Sequence, residues 1–162
     1  MTRFLFAAVA AAAVLAGCQG TPAAENAAAP VAARTAPSGL DLVRLTVEGR
    51  GRRHDFIVEV ARTEPQQAQG LMHRRALAAD AGMLFPFDPP RPAAFWMRNT
   101  LIPLDMIFIR PDGTIARIAA NTVPMSEELV GVEEPVTAVL ELRGGRAAEL
   151  GIQAGDRVSW DD

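Results

Sequence analysis

The sequence predicts a mainly β domain of the α+β class, a small strand-rich barrel or sandwich of short antiparallel strands with one or two short helices. Three observations predict this class. Several stretches of strand length are apolar or alternate apolar with polar side chains, Gly, Pro and Asp residues with turn chemistry separate them, and only two short stretches have helical signals.

The first predicted elements are a hairpin and a helix. Residues 42–47 and 54–61 alternate apolar with polar side chains, and a loop rich in Gly and Arg separates them, as in an antiparallel pair with one solvated face. Thr63 lies three residues before Gln66, which is a capping-box pattern, and Gly70 is a suitable C-cap. We therefore expect a short helix directly after the hairpin.

The middle of the domain contains three apolar stretches of strand length, residues 82–87, 95–97 and 103–110. The proline-rich segment 86–92 is expected to separate the first two, because proline has no N–H to donate within a central strand.

The last third continues the same pattern. A turn at residues 111–113 leads into a predicted strand at 114–120, and two further strands are predicted at 136–142 and 156–160. Glycines flank a short helical segment at 146–150 between these last two strands.

The N-terminus has the pattern of an export signal. Arg3 supplies a positive charge, Phe4–Ala16 form an apolar run of thirteen residues, and small residues precede Cys18. Thirteen residues are fewer than the roughly twenty that cross a bilayer. The pattern resembles the bacterial lipoprotein signal, in which the cysteine is lipidated and becomes the new N-terminus. We therefore predict a signal peptide at 1–17 and lipidation of Cys18.

The rest of the chain divides into a tether and one domain. Residues 18–39 have almost no large apolar side chain, which predicts a lipidated flexible tether, and residues 40–162 are expected to form a single globular domain. The lipid on Cys18 would make a bacterial membrane a partner, with the domain facing the periplasm or the cell exterior. Gln19, next to the cysteine, slightly favours the outer membrane.

The charge of the chain argues against nucleic acid as a partner. The formal net charge is −3, and the one cluster of arginines, residues 50–53, lies in a glycine-containing loop. Nucleic-acid binding requires a clustered basic face, so we expect no nucleic-acid partner.

A set of short blocks in the domain carries a family resemblance. The blocks are Gly70-Leu71-Met72-His73-Arg74, Gly82-Met83-Leu84-Phe85, Phe95-Trp96-Met97-Arg98-Asn99-Thr100, Pro103-Leu104-Asp105, Phe108, Pro124, Leu140-Glu141-Leu142 and Gly155-Asp156. In this order and spacing they resemble the bacterial and archaeal family called domain of unknown function 192. The resemblance implies a compact strand-rich fold over the domain and implies no established activity.

Asp105 is the first candidate site residue. It is the one charged residue in the otherwise apolar stretch 103–109, and a buried carboxylate needs hydrogen bonds or an ion pair. A turn after Arg98 would bring Arg98, Asn99 and Thr100 toward Asp105, so we predict these three as its partners. Asp105 would then either fix the fold or line a functional pocket.

Three more residues complete the candidate site. Trp96 and Met97 fall on opposite sides of a short strand, so one of them is expected to form the apolar wall of a ligand site. Arg74 follows the predicted helix, where it would reach an anionic ligand or a carboxylate, or remain solvated. The predicted ligand-binding or site-shaping residues are therefore Arg74, Trp96, Met97, Arg98, Asn99, Thr100 and Asp105.

A non-enzymatic binding module is the favoured function, with a small molecule, an envelope polymer or a protein as its partner. The chain has two histidines, His54 and His73, and its one thiol is the predicted lipidation site. Because no nucleophile–base motif is recognisable, we assign no catalytic residue, cofactor or metal.

Two alternatives stay open. An envelope hydrolase would use Asp105 with a second carboxylate, Asp88 or Glu141, or with His73. A Cu(I)-binding protein would use thioether and imidazole ligands, drawn from Met72, His73, Met83, Met97, Met106 and Met125.

Overall fold

The structure is a computed structural model that describes residues 34–161. The predicted signal peptide, the lipidation of Cys18 and residues 19–33 of the predicted tether lie outside the described residues. Within residues 34–161, no helix has both the length and the apolar character needed to cross a bilayer.

This part of the chain forms eight strands and two short helices. In chain order they are β1 (Arg34–Thr35), β2 (Asp41–Gly49), β3 (Arg52–Val60), α1 (Glu64–Gln69), β4 (Ala81–Phe95), β5 (Leu104–Ile109), β6 (Ile115–Ala119), β7 (Val130–Arg143), α2 (Arg146–Leu150) and β8 (Arg157–Trp160).

The strands form one curled sheet in the order β1-β2-β3-β4-β7-β5-β6, with β8 also paired to β2. The sheet curls far enough that β8 reaches the segment that begins β6. The N–H of Val158 donates to the carbonyl of Gly113, and the N–H of Ile115 donates to the carbonyl of Asp156, both at 2.8 Å. The predicted mainly β, barrel-like fold with two short helices is confirmed.

Two details of the predicted strands were wrong. β3 and β4 pair in parallel, with Ile57 opposite Ala81, because the chain crosses over through α1 and the loop after it instead of turning back directly. The strands are also not all short, since β4 has 15 residues and β7 has 14.

The proline-rich segment lies within β4 and does not end it. The pairing of β4 with β7 shifts register between Pro86 and Arg91 and again between Arg91 and Ala93. The prolines therefore lie where the ladder of hydrogen bonds is already irregular, which is where a residue without an N–H is tolerated.

Both predicted short helices are present. Thr63 caps α1, and its side chain accepts from the N–H of Gln66 while the Gln66 side chain accepts from the N–H of Thr63, which is the predicted capping box. α2 occupies residues 146–150 as predicted. Ahead of residue 40, β1 pairs with β2 and Ala36 is buried.

The sheet has two apolar faces. We call the cluster on the concave side the inner cluster, and α2 packs into it through Ala147; its strand residues include Leu45, Phe56, Leu84, Ile107, Leu140 and Leu142. We call the cluster on the opposite face the outer cluster; it includes Leu71, Met83, Phe85, Met97, Leu104, Met106, Phe108 and Val139. Neighbouring residues of one strand point to opposite faces, so this division decides where each candidate site residue lies.

Candidate functional site

Asp105 lies on the inner face and is fully buried. Its neighbours Leu104 and Met106 pack in the outer cluster, so alternation along β5 directs the Asp105 carboxylate inward, toward the start of α2. One carboxylate oxygen accepts from the N–H groups of Asn121 (2.8 Å) and Gly145 (2.9 Å). The other accepts from the N–H of Ala147 at 2.8 Å.

Asp105 therefore satisfies backbone donors at the N-terminus of α2. The prediction that Arg98, Asn99 and Thr100 would be its partners was wrong, because these residues lie beside the outer face. Arg98 and Thr100 line a cavity there, and the carbonyl of Asn99 accepts from the N–H of His73 at 2.9 Å. Three backbone hydrogen bonds occupy the carboxylate, so Asp105 holds the fold together at this end of the sheet.

A cavity of about 400 Å³ lies on the outer face, between the segment Gln67–Met72 and strand β4. Its buried wall includes Leu71, Phe85, Ala93, Thr100 and Glu141. Its exposed rim includes Arg91, Trp96, Arg98 and Leu129. Three of the predicted site residues, Trp96, Arg98 and Thr100, are thus brought together in this cavity, which we call the Glu141 pocket.

Glu141 is the most unusual residue of the pocket. The residue is only 4% exposed, and its side chain has no hydrogen bond or ion pair with any residue in the range 34–161. In the sheet it lies between two methionines, opposite Met83 of β4 and Met106 of β5. Burial in these apolar surroundings raises the pKa of Glu141 to about 8. The carboxyl is therefore protonated at neutral pH and has an O–H to donate.

The Glu141 carboxyl is accessible from the pocket. Among the described residues, the one buried side-chain N or O atom that is sealed from solvent and lacks a hydrogen-bond partner is Nε2 of His54. The Glu141 carboxyl also lacks a partner, so its oxygens are not among the atoms that are sealed from solvent. Because Glu141 lines the pocket, these oxygens reach the pocket space. A buried polar group without a protein partner is rare and calls for an explanation.

In the sequence, Glu141 belongs to one of the blocks that carry the family resemblance, and its predicted role was only that of an optional second carboxylate. The signal that could have found it is the one that found Asp105. Glu141 is the one charged residue in the apolar run 138–142 of a predicted strand. The structure also separates the two acids, because Asp105 pairs with Leu142 and Glu141 with Met106, so they lie on opposite faces of the sheet. They do not form the carboxylate pair that the hydrolase alternative considered.

The rim of the pocket carries two arginines stacked on aromatic rings. The guanidinium of Arg98 lies 4.0 Å from the ring centre of Trp96, and that of Arg91 lies 4.2 Å from the ring centre of Phe87. Neither guanidinium has an ion pair or hydrogen bond to another residue of the described range. Stacking leaves the N–H edges of a guanidinium free, so both arginines can bind an anion.

Arg74 and Met97 lie elsewhere. Arg74 donates two hydrogen bonds of 2.6 Å to the buried carboxylate of Glu59, which also accepts from the hydroxyl of Ser38. Burial alone would raise the pKa of Glu59, but the hydrogen bonds from Arg74 and Ser38 outweigh it, and the pKa lies below its usual value. Met97 is buried in the outer cluster, and its sulfur accepts from the hydroxyl of Thr122 at 3.1 Å.

The methionines considered for copper have different environments. Met83, Met97 and Met106 are buried, Met72 lines the Glu141 pocket, and Met125 is exposed. In the described part of the chain, no group of three or more His, Cys, Asp or Glu residues is placed to hold a metal ion.

Comparison with known proteins agrees with the resemblance of the sequence blocks. A solved structure of a protein of unknown function from Novosphingobium aromaticivorans DSM 12444 is 49% identical, with a TM-score of 0.78, and the match covers 87% of this chain and 99% of that one. A second, described as a candidate transcription regulator from Sinorhizobium meliloti 1021, is 47% identical, with a TM-score of 0.73 and coverage of 75% and 95%. No curated protein is similar to the chain. The model of the DUF192 family, described as Uncharacterized ACR, matches residues 45–160, and the chain belongs to this family.

Proposed function

We propose that the protein is an exported lipoprotein, held at a bacterial membrane by lipid on Cys18, and that its domain binds a small organic molecule in the Glu141 pocket without converting it chemically. The charged, apolar and small-residue pattern before Cys18 supports the first part. The second part rests on Glu141.

The observation that carries the binding function is a buried carboxyl, open to a cavity, that no residue of the described range satisfies. Leaving such a group without a hydrogen bond costs roughly 1–3 kcal/mol. A leucine at this position would avoid the cost and pack against Met83 and Met106. A ligand that hydrogen-bonds to Glu141 recovers this free energy, which explains why an acid occupies the position.

The shape of the site favours a small molecule over an envelope polymer or a protein. The pocket is concave, holds about 400 Å³, and combines apolar walls with a few polar groups. Small-molecule sites have this size and character. The description as a transcription regulator applies to the Sinorhizobium protein and is not carried over to this chain. The net charge of −3 here argues against a nucleic-acid partner.

A neutral fluorescent probe, N-phenyl-1-naphthylamine, tests the proposal on the domain comprising residues 34–162. The family match at 45–160 and a solved relative that is matched over 95% of its own length and covers 75% of this chain support a domain of this length as the folding unit. Ala94 is exposed and lines the pocket, so Ala94→Trp fills its mouth. Ala120→Trp is the matched control, because Ala120 is exposed and lies outside the pocket.

We expect saturable binding of the probe to the wild-type domain, a loss of about tenfold or more in affinity in Ala94→Trp, and no change in Ala120→Trp. Circular dichroism verifies that both variants are folded. The proposal is wrong if the wild-type domain shows no saturable binding, or if folded Ala94→Trp binds as tightly as the wild type.

A further inference from the structure

Building on the proposed ligand pocket, we infer the chemical class of its ligand: an oxygenated carboxylic acid, with its carboxylate at Arg98, its apolar body inside the pocket and a hydroxyl or carbonyl oxygen at Glu141. Each of the three parts corresponds to one feature of the pocket.

The charge of the rim selects an anion. Of the residues that line the pocket, the charged ones are Arg91, Arg98 and Glu141. Arg91 and Arg98 are exposed at the rim and have no carboxylate partner within residues 34–161. A planar guanidinium held against an aromatic ring offers paired N–H donors that match a carboxylate. A cationic ligand would be repelled by both side chains.

The walls select an apolar body. Leu71, Phe85 and Ala93 are buried in the wall, and Phe85 packs edge-to-face against Phe95 with 5.1 Å between the ring centres. These side chains offer no hydrogen bonds, so the part of the ligand that contacts them gains by removing apolar surface from water. Hydrocarbon chains and rings meet this requirement.

Glu141 selects one oxygen within that body. Burial raises the pKa of Glu141 to about 8, so at neutral pH it presents one O–H donor and an acceptor oxygen. A hydroxyl or carbonyl oxygen pairs with this group without moving a charge into the apolar wall. An ammonium group would have to be desolvated as Glu141 ionises, and such a buried ion pair gains little over neutral groups.

Four probes with a ten-carbon chain separate these features by isothermal calorimetry at pH 7: 10-hydroxydecanoate, decanoate, decanol and decyltrimethylammonium. We expect the affinity to fall in that order, by about tenfold at each of the first two steps, which corresponds to one hydrogen bond or charge contact per step. All concentrations stay below those at which the probes form micelles.

Variants assign each step to a residue. Arg98→Gln should remove most of the preference for decanoate over decanol, whereas Arg75→Gln, an exposed arginine outside the pocket, should not. Glu141→Leu should remove the preference for 10-hydroxydecanoate over decanoate. Glu133→Leu is its control, because Glu133 is an exposed residue of the same strand.

Failure of this inference is distinguishable from failure of the proposed function. Equal affinities for decanoate and decanol, tighter binding of decyltrimethylammonium than of decanoate, or an Arg98→Gln variant that keeps the full preference would each overturn the ligand class. If N-phenyl-1-naphthylamine still binds and is blocked by Ala94→Trp, the proposed function stands while the ligand class falls. If no probe of either kind binds, both are wrong.

Discussion

Glu59 and Glu141 are two buried glutamates in the same row of the sheet, and they have opposite environments. Both lie opposite Met83, Glu59 on β3 and Glu141 on β7, and they are 7% and 4% exposed. Glu59 has Arg74 and Ser38 as partners and a lowered pKa, whereas Glu141 has no partner in residues 34–161 and a pKa raised to about 8.

The difference comes from what the rest of the chain brings to each residue. The loop after α1 places Arg74 against Glu59, and the end of α1 with the residues that follow it forms one wall of the cavity that Glu141 faces. The charge of Glu59 is therefore used within the fold. The polar group of Glu141 is left available to a ligand.

Removing the partner of Glu59 is expected to have the largest effect. Arg74→Met leaves a buried carboxylate with only the hydroxyl of Ser38, which should lower the free energy of unfolding by about 3–5 kcal/mol. Urea unfolding at pH 7 measures it. Arg75→Met is the control, since Arg75 is exposed, and should stay within about 0.5 kcal/mol of the wild type. Similar values for the two variants would show that Glu59 does not depend on Arg74.

Neutralising Glu141 is expected to raise the free energy of unfolding. Because its pKa is raised from 4.5 to about 8, the folded protein keeps a proton that the unfolded chain has released. The free energy of unfolding therefore falls as the pH rises from about 4.5 to about 8 and levels off above that. Glu141→Gln removes this fall and should be more stable than the wild type by on the order of 2–4 kcal/mol at pH 8.

The pH dependence of urea unfolding tests this expectation. The lowered pKa of Glu59 acts in a different range, since its stabilisation is present above pH 4.5 and is lost as the pH falls through its folded pKa. The charged side chains that line the pocket with Glu141 are those of Arg91 and Arg98. Glu133→Gln is the control and should retain the wild-type profile; a Glu141→Gln variant that also retains it would contradict the account.

Asp105 is a third buried carboxyl, and both of its oxygens accept hydrogen bonds from the backbone. In Asp105→Asn, an NH₂ group faces at least one of the N–H donors of Asn121, Gly145 and Ala147, so the free energy of unfolding should fall by about 1–3 kcal/mol. Binding of N-phenyl-1-naphthylamine should not change, because Asp105 lies on the other face of the sheet. The exposed Asp80→Asn is the control, and weaker probe binding in Asp105→Asn alone would refute this separation.

The smallest effect on stability is expected for Arg98. Its side chain is exposed and its guanidinium stacks on the ring of Trp96, so Arg98→Gln should change the free energy of unfolding by less than about 1 kcal/mol. Thermal unfolding monitored by circular dichroism measures it. A larger loss would mean that Arg98 supports the fold and is not reserved for a ligand.

The parts of the fold that depend on neighbouring residues were predictable. The capping box of Thr63 and Gln66 and the helix at 146–150 are encoded locally, and both appear where expected. The parallel pairing of β3 with β4 was not, because it depends on where a long crossover returns to the sheet. The continuation of β4 through its prolines was not predictable either, because the register shift that accommodates them depends on the pairing of β4 with β7.

The candidate site divides in the same way. The burial of Asp105 followed from its own strand, but its partners lie 16 to 42 positions away along the chain, beyond the reach of local reasoning. Trp96, Arg98 and Thr100 were predicted together because they are close in sequence, and the structure places all three in one pocket. Glu141 completes that pocket from a strand more than forty residues later, and the antiparallel pairing of β7 with β4 brings it there.

The most direct test of the account is a titration of the Glu141 side-chain carboxyl carbon by ¹³C NMR in the domain, with its resonance assigned by its loss in Glu141→Gln. We predict a midpoint near pH 8. A midpoint near the ordinary value of 4.5 would contradict it, because Glu141 would then be ionised at neutral pH and could not present a neutral donor to the pocket.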